Sequence, residues 1–182
     1  MANPRSDVDG PSRPALIAAL TVAVSAVVAA LTVAASYRSG DRPAGPVMVA
    51  TVPAPRSDSA ECQALLQALP ATLGDYRRAE LAAPAPQGAA AFTADDGGEP
   101  VTLRCGLERP ADFVVGSPIQ VVDHVQWFEV DEGDRATWYA VDRAVYVALT
   151  LPRGSGPTPI QELSDLIEHT IGFTPIRPAP PR

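Results

Sequence analysis

Histidine is the side chain most often used for acid–base catalysis at neutral pH, and this sequence contains two histidines. His124 directly follows Asp123, and together with Arg104 these residues are the set that an enzyme would use. His169 lies near the end of a predicted helix, where a positive charge complements the helix dipole. No G-x-S-x-G motif places a nucleophilic serine beside either histidine. Catalysis is therefore an alternative hypothesis for this chain and not the leading one.

Metal ions and phosphate groups need ligands at defined spacings, which this sequence does not provide. Asp131, Glu132 and Asp134 surround a glycine, but their spacing differs from a calcium-binding EF-hand loop and no glutamate closes it. The Gly-Ser-Gly segment at residues 154–156 lacks the lysine of a phosphate-binding loop. We interpret these segments as solvated turns, and the sequence predicts neither a metal nor a cofactor.

Two pairs of adjacent aromatic residues, Trp127-Phe128 and Trp138-Tyr139, lie in two predicted strands. Because successive side chains of a strand point to opposite faces, one aromatic of each pair points away from the core. Exposed aromatics suit contact with a glycan, a peptide or a membrane protein; the alternative is packing across strands or beneath a helix. Arg104 and Arg143 lie in or beside the predicted strands, where each can bind a ligand or form an ion pair. The candidate ligand or partner surface consists of Arg104, Trp127, Trp138, Tyr139 and Arg143.

Residues 15–37 contain no charged side chain and are rich in alanine, valine and leucine. A helix of this length spans about 34 Å, enough to cross the hydrocarbon core of a bilayer. The sequence therefore predicts one N-terminal transmembrane helix. Cleavable signal peptides have an apolar region of only about 7–15 residues, so a permanent anchor is favoured. Cleavage near residues 33–36, which would give a secreted protein, is the alternative.

Cys62 and Cys105 both follow the predicted anchor, and the sequence has no other cysteine. Two cysteines in an exported domain most simply form one disulfide, so we predict that this part of the chain lies outside the cytoplasm. A disulfide closing a loop of this size would stabilise the domain by about 4 kcal/mol. The alternative is two buried free thiols.

The net charge of −7 bears on the kind of partner. It argues against nucleic acid, because binding phosphate groups requires a basic patch. The predicted partners are the cytoplasmic membrane, through residues 15–37, and an unknown envelope protein or wall component.

Prolines and glycines are concentrated at both ends of the region that follows the anchor, which is typical of linkers around a folded domain. The predicted organisation is a cytoplasmic tail at residues 1–14, the anchor at 15–37, a Pro/Gly/Ser-rich spacer at 38–57, an extracytoplasmic domain at 58–174 and a proline-rich tail at 175–182.

The predicted domain begins with a helix capped by Asp58, followed by a short second helical piece over residues 72–78. A closing helix begins at Thr158 and Pro159. Between them lie six apolar or β-branched runs predicted as strands, at residues 89–93, 101–105, 119–122, 125–130, 135–141 and 145–151. This order predicts an α+β fold, in which helices pack on an antiparallel sheet to form two layers, preceded by one transmembrane helix.

Several short segments of this domain together resemble a known family. They are a cysteine in the first helix followed by Leu-x-x-Leu-Pro, Leu-Arg-Cys-Gly at 103–106, Val-x-Trp at 125–127, and a Tyr–Asp-Arg stretch at 139–143. Over residues 60–172 the chain resembles the actinobacterial envelope family called domain of unknown function 3515. Phe92 departs from the family pattern, where a tryptophan is expected. The resemblance implies an actinobacterial source, an envelope location and paired cysteines, but no activity and no catalytic residue.

The leading hypothesis is a membrane-anchored extracytoplasmic protein that acts as a non-enzymatic accessory or binding module of the cell envelope. The alternative is an envelope enzyme or a small-ligand-binding domain that uses Asp123, His124 and Arg104. A small-ligand site of this kind is expected between a helix and the sheet.

Overall fold

The computed structural model describes residues 24–28 and 45–181. The chain divides into two units, Met1–Arg42 and Pro43–Arg182. In the first unit residues 24–28 are helical, and the rest of the predicted anchor, like the predicted tail at 1–14, lies outside the described residues. None of the helices within the described residues has the length and apolar character needed to cross a membrane.

The second unit contains a sheet of eight strands and two helices. The helices are α1 (Ala60–Ala68) and α2 (Thr158–Thr170). The strands are β1 (Thr72–Leu73), β2 (Tyr76–Ala79), β3 (Ala89–Thr93), β4 (Val101–Leu107), β5 (Gln120–Val122), β6 (Val125–Asp131), β7 (Arg135–Ala140) and β8 (Tyr146–Pro152).

The sheet is antiparallel throughout, with the strand order β1-β2-β3-β4-β8-β7-β6-β5. It consists of two meanders, β1–β4 and β5–β8, whose last strands lie side by side in the middle of the sheet. The chain between β4 and β5 therefore has to travel to the opposite edge. The predicted α+β fold with an antiparallel sheet is confirmed.

Both helices pack on the same face of the sheet and bury the main core there. Leu65 of α1 and Leu163 and Ile167 of α2 are fully buried together with Leu103 and Leu149 of the central strands. The inward positions of β8 alternate along the strand, and Val147, Leu149 and Leu151 belong to this core. Burial of these apolar groups is the main favourable term in the stability of the domain.

The prediction of a second helical piece over residues 72–78 is wrong, because these residues form the hairpin of β1 and β2. Gly74 occupies the turn with φ +57°, a left-handed conformation that glycine adopts without steric cost. Its backbone N–H donates to a carboxylate oxygen of Glu162 in α2 at 2.8 Å. This tertiary contact across the fold fixes the turn, and the local sequence pattern does not reveal it.

Cys62 and Cys105 form a disulfide, as the sequence predicts. Their Cα atoms lie 5.6 Å apart, and both residues have no exposed surface. The bond connects α1 directly to β4 at the centre of the sheet. It therefore fixes the first helix to the strand that joins the two meanders.

The described part of the predicted spacer at 38–57 is in contact with the domain. Residues 45–57, here called the N-terminal strap, are bonded to the domain. The Val47 N–H donates to the carbonyl of Glu80 at 2.8 Å, and the Arg56 N–H donates to the carbonyl of Gly106 at 3.0 Å. The composition of the strap resembles that of a linker, but its backbone groups pair with backbone groups of the domain.

The proline-rich end of the chain, predicted as a tail at 175–182, forms backbone hydrogen bonds with the domain. The Ala179 N–H donates to the carbonyl of Phe113 at 2.9 Å, and the Val115 N–H donates to the carbonyl of Ala179 at 2.8 Å. Proline cannot donate from its nitrogen, but the alanine between the prolines can. The tail thus pairs with the long connection between β4 and β5.

Gly106 is a point of close approach between the strap and the sheet, and we expect Gly106→Ala to destabilise the domain by about 2 kcal/mol. Gly106 has φ +85°, and a Cβ atom there would lie 2.3 Å from the carbonyl carbon of Arg56. The matched control is Gly154→Ala, at φ +84° with open space around it, which retains only the backbone strain of about 1 kcal/mol. Urea unfolding measures both, and equal losses would contradict the role of close approach.

Candidate functional site

The face of the sheet opposite the helices, here called the open face, carries polar side chains at its centre. Register across β4, β8 and β7 places residues of these three strands in rows, with neighbouring Cα atoms roughly 5 Å apart. Two such rows lie next to each other: Thr102, Thr150 and Thr137 in one, and Arg104, Ala148 and Tyr139 in the other.

A cavity of about 690 Å³, here called the cleft, lies between these rows and the N-terminal strap. Its volume is in the range of pockets that hold small ligands. Met48 and Ala50 of the strap line one side, and Glu132 of the β6–β7 hairpin lies at another. Apolar contact, hydroxyl groups and charges are therefore all available within one concave surface.

Arg104 is the cation of the cleft floor and is half-buried there. Its Nη2 donates to the carbonyl oxygen of Ala50 at 3.4 Å, which is a long bond. Its Nε is buried and has no hydrogen-bond partner among the described residues. Burial lowers the pKa of Arg104, while Tyr139 and Glu132 act in the opposite direction. The guanidinium stays charged, since an arginine does not lose its proton in proteins.

Glu132 is the anion that approaches the same floor, from the exposed end of the hairpin. Its Oε2 accepts a hydrogen bond from the hydroxyl of Thr137 at 3.3 Å, and that hydroxyl lies 3.0 Å from the hydroxyl of Thr150. Burial, with a smaller contribution from Glu132, raises the pKa of Tyr139, so its hydroxyl stays protonated and can donate. The floor thus presents hydroxyl groups between one positive and one negative side chain.

The five residues of the predicted surface do not lie together. Arg104 and Tyr139 line the cleft, and Trp138 lines a separate cavity of about 560 Å³ beside the start of α2. Trp127 has no exposed surface, and Arg143 is 7% exposed. A partner on the open face can therefore reach Arg104 and Tyr139 but not the side chains of Trp127 and Arg143, which belong to the interior.

Trp127 is part of the main core, beneath α2. Its indole Nε1 donates to the hydroxyl of Ser164 at 3.0 Å, and this hydroxyl donates to the carbonyl of Ile160 at 2.7 Å. A buried tryptophan requires such an acceptor, because its indole N–H can no longer form a hydrogen bond with water. The sequence pattern places one residue of the Trp127-Phe128 pair on each face of the sheet without saying which. The contact with Ser164 shows that Trp127 is on the face covered by α2.

We expect Ser164→Ala to lower the free energy of unfolding by about 1–3 kcal/mol, because it leaves the buried indole N–H of Trp127 without an acceptor. Thr170→Ala is the matched control. The Thr170 hydroxyl also donates to a carbonyl one helical turn back, that of Leu166 at 2.7 Å, but it serves no tryptophan. Losses of the same size for both variants in chemical denaturation would show that the indole bond is not the cause.

Arg143 forms a buried ion pair with its neighbour Asp142. Arg143 Nη1 lies 3.0 Å from Asp142 Oδ2, with both side chains almost without exposed surface. The other nitrogen, Nη2, donates to the carbonyl of His124 at 2.7 Å. Burial raises the pKa of Asp142, and the guanidinium of Arg143 offsets only part of this effect. The pair therefore joins two connections of the sheet, which is a structural role.

Asp123 and His124 form the two-residue turn between β5 and β6, away from the cleft. Asp123 has φ +51°, a conformation that aspartate tolerates in tight turns. The ring of His124 is 72% exposed and lies 4.0 Å from Glu168 of α2. Strands β4 and β6 are three positions apart in the sheet, about 14 Å. The structure does not bring Asp123 or His124 together with Arg104.

The space between the helices and the sheet, where a small-ligand site was also expected, is filled by the apolar core. Within residues 24–28 and 45–181, no three His, Cys, Asp or Glu side chains are grouped closely enough to hold a metal ion. Asp131 accepts from the Gly133 N–H at 2.8 Å and pairs with Arg153, so this carboxylate serves its own turn.

Sequence reasoning missed Thr102, Thr137, Thr150, Ala148 and the role of Glu132. The alternation of β8 assigns Thr150 to the face opposite the core, and this signal identifies one hydroxyl of the floor. The other positions depend on the register of β8 with its neighbour β7 and with β4, and β4 is distant from both in the sequence. The strap that closes the cleft has no apolar periodicity at all.

Comparison with protein families matches residues 20–176 to the family described as "Protein of unknown function (DUF3515)". The chain belongs to this family. The DUF3515 match covers the whole sheet and both helices, and it begins inside the apolar run at residues 15–37. No curated protein and no solved structure matches the chain. Membership in DUF3515 supplies no activity, so a function has to be argued from the cleft.

Proposed function

We propose that the chain is a binding module of an actinobacterial cell envelope, anchored in the cytoplasmic membrane by residues 15–37. The domain that follows the anchor lies on the outer side of the membrane. The uncharged run of that segment supports the anchor. The Cys62–Cys105 disulfide supports the location, because such bonds form and persist in oxidising compartments.

The hydrogen bonding of Arg104 is the observation that supports binding of a ligand or partner at the open face. Its guanidinium lies half-buried on the floor of the cleft, with Nε unbonded among the described residues and Nη2 in only a long bond. Buried polar groups are normally hydrogen-bonded, and a charged donor without an acceptor costs more free energy than a neutral one. A ligand oxygen supplied from the cleft would complete the hydrogen bonds of this side chain.

The proposed activity is binding, and not catalysis. The residues that an enzyme would use are far apart. Arg104 lies on the cleft floor, whereas Asp123 and His124 lie three strands away at an exposed turn. General acid–base catalysis needs its groups within hydrogen-bond reach of one reacting centre. Arg104 and the surrounding hydroxyls instead suit the orientation of a ligand.

Site-specific photocrosslinking in intact cells tests this function. The full chain carries p-benzoylphenylalanine either at position 139, on the cleft floor, or at position 121, where Val121 is 66% exposed on the edge strand. We expect position 139 to crosslink one recurrent envelope component or ligand that position 121 does not. Equal crosslinking patterns from the two positions, or none from position 139, would contradict a binding role for the cleft.

A further inference from the structure

Arg104 and Glu132 are two opposite charges that line one cleft without a direct ion pair, although Glu132 is close enough to raise the pKa of Arg104 against the effect of burial. Neither side chain forms an ion pair with any of the described residues, although both lie among the residues that line the cleft. By contrast, the nearby Arg135 is paired with Asp134 at 3.3 Å. A binding site with one open cation and one open anion is complementary to a ligand that carries both signs.

The balance of charge around the cleft selects the class of ligand. Four acidic residues line it, Glu99, Glu108, Glu132 and Asp134, against the two arginines Arg104 and Arg135. This rim repels a ligand with several negative charges, such as a polyphosphate, while Arg104 repels a simple cation on the floor. A ligand with one carboxylate and one ammonium has no net charge and meets neither repulsion.

The floor between the two charges also has the character of a site for a peptide backbone. The hydroxyl of Tyr139 can donate to a peptide carbonyl. The Thr137 hydroxyl donates to Glu132 and accepts from the Thr150 hydroxyl, so the threonine oxygens can still accept from peptide amides. Ala148 lies between Arg104 and Tyr139 in the same row and contributes only a methyl group to the lining of the cleft.

The distance across the floor sets the length of such a ligand. Glu132 is bonded to Thr137 of β7, and the axes of β7 and β4, the strand of Arg104, are about 10 Å apart. An extended chain covers roughly 3.3–3.6 Å per residue, so two or three residues span this distance.

We propose that the cleft binds a short peptide with both termini free, whose carboxylate pairs with Arg104 and whose ammonium pairs with Glu132. The carboxylate replaces the long bond from Arg104 to the Ala50 carbonyl with a charge-assisted bond, which is shorter and stronger. This inference deepens the proposed function and rests on it, because it names the ligand of the same cleft.

Titration calorimetry on the full chain in detergent tests the proposal with di- and trialanine as probes. We expect at least one of them to bind, and N-acetylation or C-terminal amidation to raise its Kd about tenfold or more. Arg104→Gln should abolish the effect of amidation while keeping that of acetylation, and Glu132→Gln should do the reverse. The controls Arg77→Gln and Glu168→Gln change the same charges at exposed sites outside the cleft and should leave both effects intact.

Absence of binding by both peptides up to about 10 mM, or equal affinity for free and blocked termini, would overturn the peptide proposal. The same holds if either cleft variant behaves like its control. These outcomes are separable from failure of the proposed function. A recurrent crosslink at position 139 with no affinity for alanine peptides retains the binding module and rejects only this ligand class.

Discussion

Replacing Cys62 and Cys105 together with alanine is expected to lower the free energy of unfolding by about 4 kcal/mol. The two cysteines are 43 residues apart in sequence, and their bond limits the conformations of the unfolded chain across that loop. Globular proteins have only about 5–15 kcal/mol of net stability, so the loss is a large fraction. Urea unfolding of the full chain in detergent, followed by tryptophan fluorescence, measures it.

Reduction provides the matched control for the cysteine variant. The wild-type chain should lose a similar amount of stability in excess reductant, whereas the double variant should show no further change. A difference below about 1 kcal/mol between the oxidised wild type and the variant would contradict a disulfide that ties α1 to β4.

Asp142→Ala is expected to destabilise the domain by about 3–5 kcal/mol, because it leaves the guanidinium of Arg143 buried without a counter-charge. Arg143 is held 3.0 Å from the carboxylate, and its side chain is 3% exposed. Its Nη2 also donates to the carbonyl of His124, so the disturbance reaches the turn between β5 and β6. The measurement is the same urea unfolding experiment.

Asp95→Ala is the matched control for the buried pair. It breaks the ion pair of Asp95 with Arg77, whose side chains are 73% and 59% exposed, and the expected change is at most about 1 kcal/mol. The double variant Asp142→Ala, Arg143→Met should recover part of the loss, because no charge is left buried. Equal effects of Asp142→Ala and Asp95→Ala would contradict the role assigned to burial.

The sequence predicted most of the strands because their inward positions alternate. The alternation of Val147, Leu149 and Leu151 is typical of a strand with one buried face, and the cysteine pair indicates the disulfide. Residues 72–78 were assigned to a helix because a two-residue strand followed by a glycine turn has no recognisable period. The contact of that turn with Glu162 arises only once α2 is folded against it.

The cleft was less predictable than the fold. Its floor depends on the register between strands, and one of its sides is formed by the N-terminal strap. The sequence predicts Arg104 and Tyr139 as members of a ligand or partner surface. Their neighbours on β8 depend on the pairing of β4 with β8, two strands that have three other strands between them in the sequence. The strap at residues 45–57 has the composition of a linker, and only its backbone hydrogen bonds tie it to the domain.

The intact mass of the mature chain, isolated from membranes and measured without and with reduction, tests the central claim of an anchored domain outside the cytoplasm. The proposal predicts a chain that retains residues 15–37 and gains the mass of two hydrogen atoms on reduction, one for each of Cys62 and Cys105. A mature chain that begins after residue 36, or one whose mass does not change on reduction, would contradict it.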